Sequence, residues 1–259
     1  MRRFLISFAL AFVAATPTYC EARSPMPSTA AAGPQSAAAE PSVDQILDKY
    51  VQALGGQEAM KKLSTRTMKG SLQDRGSGEI GTIEVLQKAP DKGFAVTSSL
   101  SNGRTPRGFN GKSGWSVDPD EGLQDASEDD VAAMKREFDF YRPLRLKTVF
   151  SKMEYKGKGT VVDHSCHVVE ATDQKGAVAK MYFDTQSGLL VRDEVPYVTE
   201  DGTSVLQIDY DDYREVDGVK LPFVRHQSSP DYDYLIKFEE IRHNVPIDDS
   251  KFEKPAATQ

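Results

Sequence analysis

The chain has 259 residues, 39% hydrophobic and 27% charged, with 32 basic against 39 acidic side chains and a formal net charge of −7. This acidic balance excludes nucleic acid as the main partner, because a phosphate backbone is bound through a surplus of Lys and Arg. Two cysteines exclude a disulfide scaffold and a cysteine-rich zinc module, and 19 Gly with 14 Pro suit short elements joined by turns.

Arg2 and Arg3 precede an apolar run from Phe4 to Ala15, which Thr16, Pro17 and Thr18 then break. This is the anatomy of an export signal, and it is shorter than the roughly 20 apolar residues of a spanning helix. Cleavage after Ala22 places Cys20 at −3; cleavage after Ala15, with Val13 at −3, is the alternative. Residues 1–22 are therefore read as a signal peptide, and the chain as exported. Cys20 raises a second reading, a lipid anchor, although Tyr19 immediately before it and Pro17 at −3 depart from the small residues that an acylation site wants. Removing the signal leaves 30 basic residues (32 less Arg2 and Arg3) against 38 acidic ones (39 less Glu21), a net charge of −8. Residues 23–41 are mostly Pro, Ala and Ser, too poor in large apolar groups to offset the entropy of ordering, and are read as a disordered linker.

The folded part opens with a helix. Ser42 and Gln45 have the spacing of a capping box, and Val43, Ile46, Leu47, Tyr50, Val51 and Leu54 recur at three and four. Gly55-Gly56 stops it, and residues 57–63 allow a further short turn. From Thr65 onward the period is two. Phe94, Val96 and Leu100 share a face, as do Leu206, Ile208 and Tyr210; Val219, Leu221 and Phe223 form a third set, and Tyr232, Tyr234, Ile236 and Phe238 a fourth. Asn102-Gly103, Asn110-Gly111, Ser187-Gly188, Asp201-Gly202 and Asp217-Gly218 supply the turns between roughly ten or eleven antiparallel strands. A second helix is expected over Ser127 to Phe138, with Glu128, Asp129 and Asp130 in its first turn and Lys135 and Arg136 in its last.

Residues 42–255 thus read as one mainly β domain followed by a tail, 256–259. So much sheet must curl or pack on another layer to cover its apolar face. With few helices, the expectation is one large curved antiparallel sheet, an incomplete β-barrel, with the N-terminal amphipathic helix and the mid-chain helix as lid or plug. Concave apolar faces of this kind are common ligand sites.

No catalytic constellation stands out, and no cofactor is expected. Gly111-Lys112-Ser113 has Pro106 where a phosphate-binding loop needs glycine, and Trp115-Ser116-Val117 continue as strand. His164 and Cys166 share a strand face while His167 points away, so no local set of metal ligands forms. Asp209 and Asp211 fall opposite the apolar face of their strand, where solvated carboxylates make poor general acids.

Short phrases along the strands carry a resemblance. They are Tyr50-Val51-Gln52-Ala53-Leu54-Gly55-Gly56, then Gly108 to Trp115, then Tyr182 to Arg192, then Asp209 to Pro222, and finally Asn244 to Pro255. Together they resemble the bacterial outer-membrane lipoprotein-sorting proteins of the LolA/LolB-like superfamily, over nearly the whole of 42–255. The resemblance implies an incomplete barrel of about eleven strands with an apolar cavity, in a non-catalytic periplasmic carrier of lipid or lipoprotein acyl chains. Peripheral or transient contact with membranes and contacts with other envelope proteins are implied with it. Candidate cavity residues are Phe94, Val96, Leu206, Ile208, Tyr234 and Ile236, with Ile46, Leu47 and Tyr50 as lid residues. The alternative is a periplasmic binding or sensor module of the same fold for a protein or another ligand.

Overall fold

The computed structural model describes residues 40–199 and 202–256. The expected signal peptide, Cys20, nearly all of the linker and most of the tail lie outside the described residues.

Helix α1 (Val43–Ala53) begins at the expected capping box: the Gln45 amide donates to Ser42 Oγ at 3.2 Å, and the Ser42 amide donates to Gln45 Oε1 at 2.9 Å. Gly55, at φ +115°, ends it in a backbone conformation that side chains disfavour. A short α2 (Gln57–Lys61) follows. The strands on one side are β1 (Thr65–Asp74), β2 (Ile80–Lys88), β3 (Lys92–Ser99), β4 (Gly103–Phe109), β5 (Gly114–Asp118) and β6 (Gly122–Asp125). After α3 (Glu128–Glu137) and α4 (Arg142–Val149) come β7 (Lys152–Val161), β8 (His164–Thr172), β9 (Val178–Asp184), β10 (Leu190–Thr199), β11 (Gly202–Val216), β12 (Val219–Ser228) and β13 (Asp233–His243).

The thirteen strands of the described residues form one antiparallel sheet in the order β6-β5-β4-β3-β2-β1-β13-β12-β11-β10-β9-β8-β7. The chain leaves the centre at β1, reaches one edge at β6, and resumes at the opposite edge with β7. It then returns until β13 pairs with β1, and the two edges do not meet. The curved open sheet is the expected architecture, with thirteen strands in place of ten or eleven. The difference lies partly in β5 and β6, whose five and four residues are too few to display a period.

This path explains where the helices sit. Residues 126–151 must cross from one edge to the other, so they run over one face of the sheet, here called the inner face. On the way they bury Met134 and Phe138 against β1–β4 and β13, and Phe140 and Leu146 among α1, α2 and β8–β10. Helix α3 is the expected mid-chain helix. Helix α4 was not expected, because Leu146 is its one buried residue and its apolar stripe is weak. Over β8–β10, α1 contributes Ile46, Leu47, Tyr50 and Leu54 to a cluster with Val169, Met181, Phe183 and Leu190. The outer face carries two small apolar clusters: the C-terminal segment lays Phe252 beside Phe94, Val96 and Trp115, and Val161, Cys166 and Val191 pack together on β7, β8 and β10. Trp115 Nε1 donates to the Phe252 carbonyl at 3.1 Å.

Candidate functional site on the inner sheet face

Strand register shows which side chains share the inner face. Tyr210 on β11 stands opposite Arg225 on β12, Arg225 opposite Ile236 on β13, and Ile236 opposite Leu72 on β1. The next row towards the open strand ends holds Asp193, Ile208, Gln227 and Tyr234. Leu206 follows on β11, opposite Val195. Tyr234 stacks on Tyr232 with ring centroids 5.1 Å apart.

The inner face is therefore banded. At one end lies the apolar cluster under α1 and α4. A belt of charged and phenolic groups crosses the middle. Beyond the belt, Leu206, Ile208 and Tyr234 are half-buried, and none joins the four packed apolar clusters of the described residues.

The belt is built by distant parts of the chain. Arg142 in the first turn of α4 lies 3.2 Å from Asp193 Oδ2, which also accepts a hydrogen bond from the Tyr210 hydroxyl at 3.3 Å. Asp193 Oδ1 is buried without a hydrogen-bond partner, and so is Arg225 Nε. The Arg225 guanidinium stands 5.2 Å above the Phe238 ring, and that of Arg66, from β1, 4.9 Å above Phe140. Arg66 also donates to Gln87 Oε1 at 3.2 Å and to His243 Nε2 at 3.1 Å.

The electrostatics follow from enclosure and from these neighbours. Burial pulls the Arg66 pKa down to about 10, with the like charge of Arg225 adding to the effect. Burial also works to lower Arg142, but Asp193, Tyr210 and Tyr50 outweigh it and hold that guanidinium charged. Tyr50, Tyr210 and Tyr213 are pushed well above the ordinary phenol value, chiefly by burial, so they act as neutral hydroxyl groups. The Tyr213 hydroxyl donates to the Leu190 carbonyl at 2.7 Å. A hydroxyl-and-guanidinium belt offers positive charge and hydrogen-bonding groups to a bound molecule.

The expected site residues divide between the two faces. Leu206, Ile208, Tyr234 and Ile236 are on the inner face, although Ile236 packs in the cluster around Phe238 and Met68. Phe94 and Val96 are a correction: they lie on the outer face, packed with Trp115 and Phe252, while Ala95 between them points inwards. Both faces of β3 are apolar, so its alternation could not say which one faces the helices. Leu100, expected on the same face as Phe94, sits beyond the strand and is exposed. Ile46, Leu47 and Tyr50 are buried core residues of α1.

Sequence reasoning missed Arg66, Arg142, Arg225 and Asp193 altogether. Their one signal was parity: Arg225 continues the alternating set Val219, Leu221 and Phe223 on an apolar face. The histidines and cysteine considered as metal ligands go elsewhere. Cys166 is buried with its thiol raised chiefly by burial, His164 lies 3.3 Å from Asp184, and His167 lies 3.2 Å from the Tyr155 hydroxyl. Asp209 faces outwards and is held by Arg192 through two contacts of 2.5 and 3.0 Å. An open cleft of about 620 Å³ lies apart from the belt, between the start of β1 and residues 244–248.

No protein-family model matches the chain, and no curated protein matches it in sequence. Solved structures do match in fold. A DUF1329 family protein from Desulfovibrio piger superposes with a TM-score of 0.56 at 13% identity, over 82% of this chain and 97% of that one. A LolA superfamily protein from Nitrosomonas europaea gives 0.56 at 11% identity, over 83% and 99%. An outer membrane lipoprotein-sorting protein domain from Vibrio parahaemolyticus gives 0.51 at 10%, over 80% and 97%. The chain is similar to these proteins in fold.

Proposed function

We propose that this protein is a non-catalytic carrier or binder of lipid or lipoprotein acyl chains, acting in the periplasm. The observation that carries the reading is the half-buried apolar strip of Leu206, Ile208 and Tyr234 on the helix-covered face, beyond the polar belt and outside the packed clusters. Similarity in fold to a LolA superfamily protein and to a lipoprotein-sorting domain supports it.

The physical need for such a strip is plain. Burying acyl chain is worth about 0.8 kcal/mol per CH₂, so a chain of roughly 14 methylenes is held out of water by about 11 kcal/mol. A soluble carrier must supply a comparable apolar surface and remain acidic enough not to adhere to anionic bilayers. In this reading Leu72 takes the place of Phe94 and Val96 beside Ile236. Helix α1, through Ile46, Leu47 and Tyr50, closes the far end of the space.

The test is native mass spectrometry of the protein purified from its own envelope, with displacement of a fluorescent fatty-acid probe. Co-purifying lipid or lipoprotein, and a probe displaced by acyl compounds, are the expected results. A clean apo mass with no probe binding would overturn the reading and leave a protein ligand as the partner for this fold.

A further inference from the structure

The inner-face belt holds three guanidinium groups, those of Arg66, Arg142 and Arg225, against the carboxylate of Asp193; nearby Asp139 is engaged by Arg145 at 3.2 Å. Asp193 is 2% exposed and engages Arg142. Arg66 donates two of its N–H groups to the neutral acceptors Gln87 and His243. Arg225 is left over. Among the described residues it has no ion pair and no hydrogen bond, its Nε is sealed from solvent, and its guanidinium lies over the Phe238 ring. Enclosed charge is ordinarily paired, and a guanidinium presents a fixed fork of donors matched to a carboxylate or phosphate. Moreover, Arg225 stands between Tyr210 and Ile236, one row from Ile208 and Tyr234, where the uncovered apolar strip begins.

We propose that Arg225, backed by the positive charge of Arg66, is an anion-anchoring site for the acidic headgroup of an amphiphile whose chain lies along Ile208, Leu206 and Tyr234. The ligand class is an acyl or alkyl chain ending in a carboxylate or a phosphate. The donors are the outer N–H groups of the Arg225 guanidinium, which unlike Nε are not sealed from solvent. The site rests on the acyl-binding reading above and adds to it a direction, with the anion at the belt and the chain towards the open strand ends.

The experiment is competition against a fluorescent fatty-acid probe on the full chain. Four ligands share a twelve-carbon chain: dodecanoate, dodecyl phosphate, neutral dodecanol and cationic dodecyltrimethylammonium. Anionic ligands should bind about tenfold or more tighter than dodecanol, the size of one charge-assisted hydrogen bond, and the cation weakest. Comparing dodecanoate with dodecyl phosphate tells which anion the site prefers. Arg225→Met should bring the anions down to the level of dodecanol while dodecanol binding persists. It should also leave the melting temperature of the ligand-free protein unchanged or raised, because an unpaired charge is removed; a purely structural cation over Phe238 would lower it instead. Should Arg225→Met fail to fold, Arg225→Lys keeps the charge without the fork and should lose part of the preference. Equal binding of anionic and neutral ligands, or a preference intact in Arg225→Met or in Arg225→Lys, overturns the anion site alone. Failure of all four ligands to bind overturns the acyl reading and the site with it.

Discussion

Arg142, in the first turn of α4, lies 3.2 Å from the carboxylate of Asp193 on β10, and Asp193 is almost wholly buried. The contact ties the segment that crosses the sheet to a strand from the far half of the chain. Removing one partner of such a pair leaves an uncompensated buried charge and typically costs about 3–5 kcal/mol. Arg142→Ala is expected to lie near the lower end of that range, because its side chain keeps 26% exposure. The double variant Arg142→Met with Asp193→Leu should recover much of the loss. Urea unfolding of the two proteins checks it; equal destabilisation by both would show that the charges are not the reason.

The two faces of the sheet should respond to mutation in opposite ways. Ile208→Glu places a charge in the uncovered strip and should weaken fatty-acid probe binding about tenfold or more, with little change in melting temperature. Phe94→Ala empties a packed position on the outer face and should cost about 3 kcal/mol, leaving probe affinity unchanged. Loss of binding in Phe94→Ala at full folding would contradict the assignment of the faces.

Docking of α3 depends on the absence of a side chain at Gly93. A Cβ there would meet the Phe138 ring at 1.9 Å, and Phe138 is fully buried. Gly93→Ala should displace Phe138 and cost about 1–3 kcal/mol of overpacking strain. Faster tryptic cleavage after Lys135 and Arg136 is the specific readout, since both lie in the last turn of α3.

His243 sets a pH dependence. Burial lowers its pKa and Arg66 lowers it further, while the contact with Asp217 at 3.1 Å works the other way without prevailing. A guanidinium can only donate, so Nε2 accepts from Arg66 and is the unprotonated nitrogen. Protonating Nε2 would end that hydrogen bond. The unfolded imidazole takes up its proton near pH 6.5, before the folded one does. Stability should therefore be unaffected by His243 above that pH and should fall as pH drops below it, levelling off beneath the folded pKa. His243→Gln should flatten this part of the curve. His167, lowered chiefly by burial, will leave a residual slope in the same window. Melting temperatures from pH 7.5 to pH 5 check the difference.

Helix α1 should be separable from the belt. Ser42→Ala removes half of the capping box and should cost about 1 kcal/mol, with no effect on the anion preference of bound amphiphiles. A changed preference would mean that α1 moves with the ligand.

Local rules made much of the chain legible. The Ser42–Gln45 box, the turn at Asn110-Gly111 and the shared face of Leu206, Ile208 and Tyr210 each depend on neighbours within a few residues, and so could be read directly. Pleat parity also made the outward aim of Asp209 readable, and the mainly β class followed from how often that parity recurs. What parity cannot do is align the faces of different strands. It is reset by the register shifts at Lys69/Gly70 and between Leu190 and Arg192, and by Asp212 at φ +50°. It is also silent on β3, which is buried on both sides from Gly93 to Val96. For that reason the alternation of Phe94 and Val96 does not reveal that they face outwards. The belt lay further out of reach, because Arg66, Arg142, Asp193 and Arg225 meet only when β13 pairs with β1 and the chain crosses the sheet. Apart from Arg225, whose parity follows Val219, Leu221 and Phe223, each looks like an ordinary surface charge in its own segment. Enclosure, and the lack of a partner for Arg225, are properties of the assembled sheet alone, since desolvation depends on what surrounds a group and not on its neighbours in sequence.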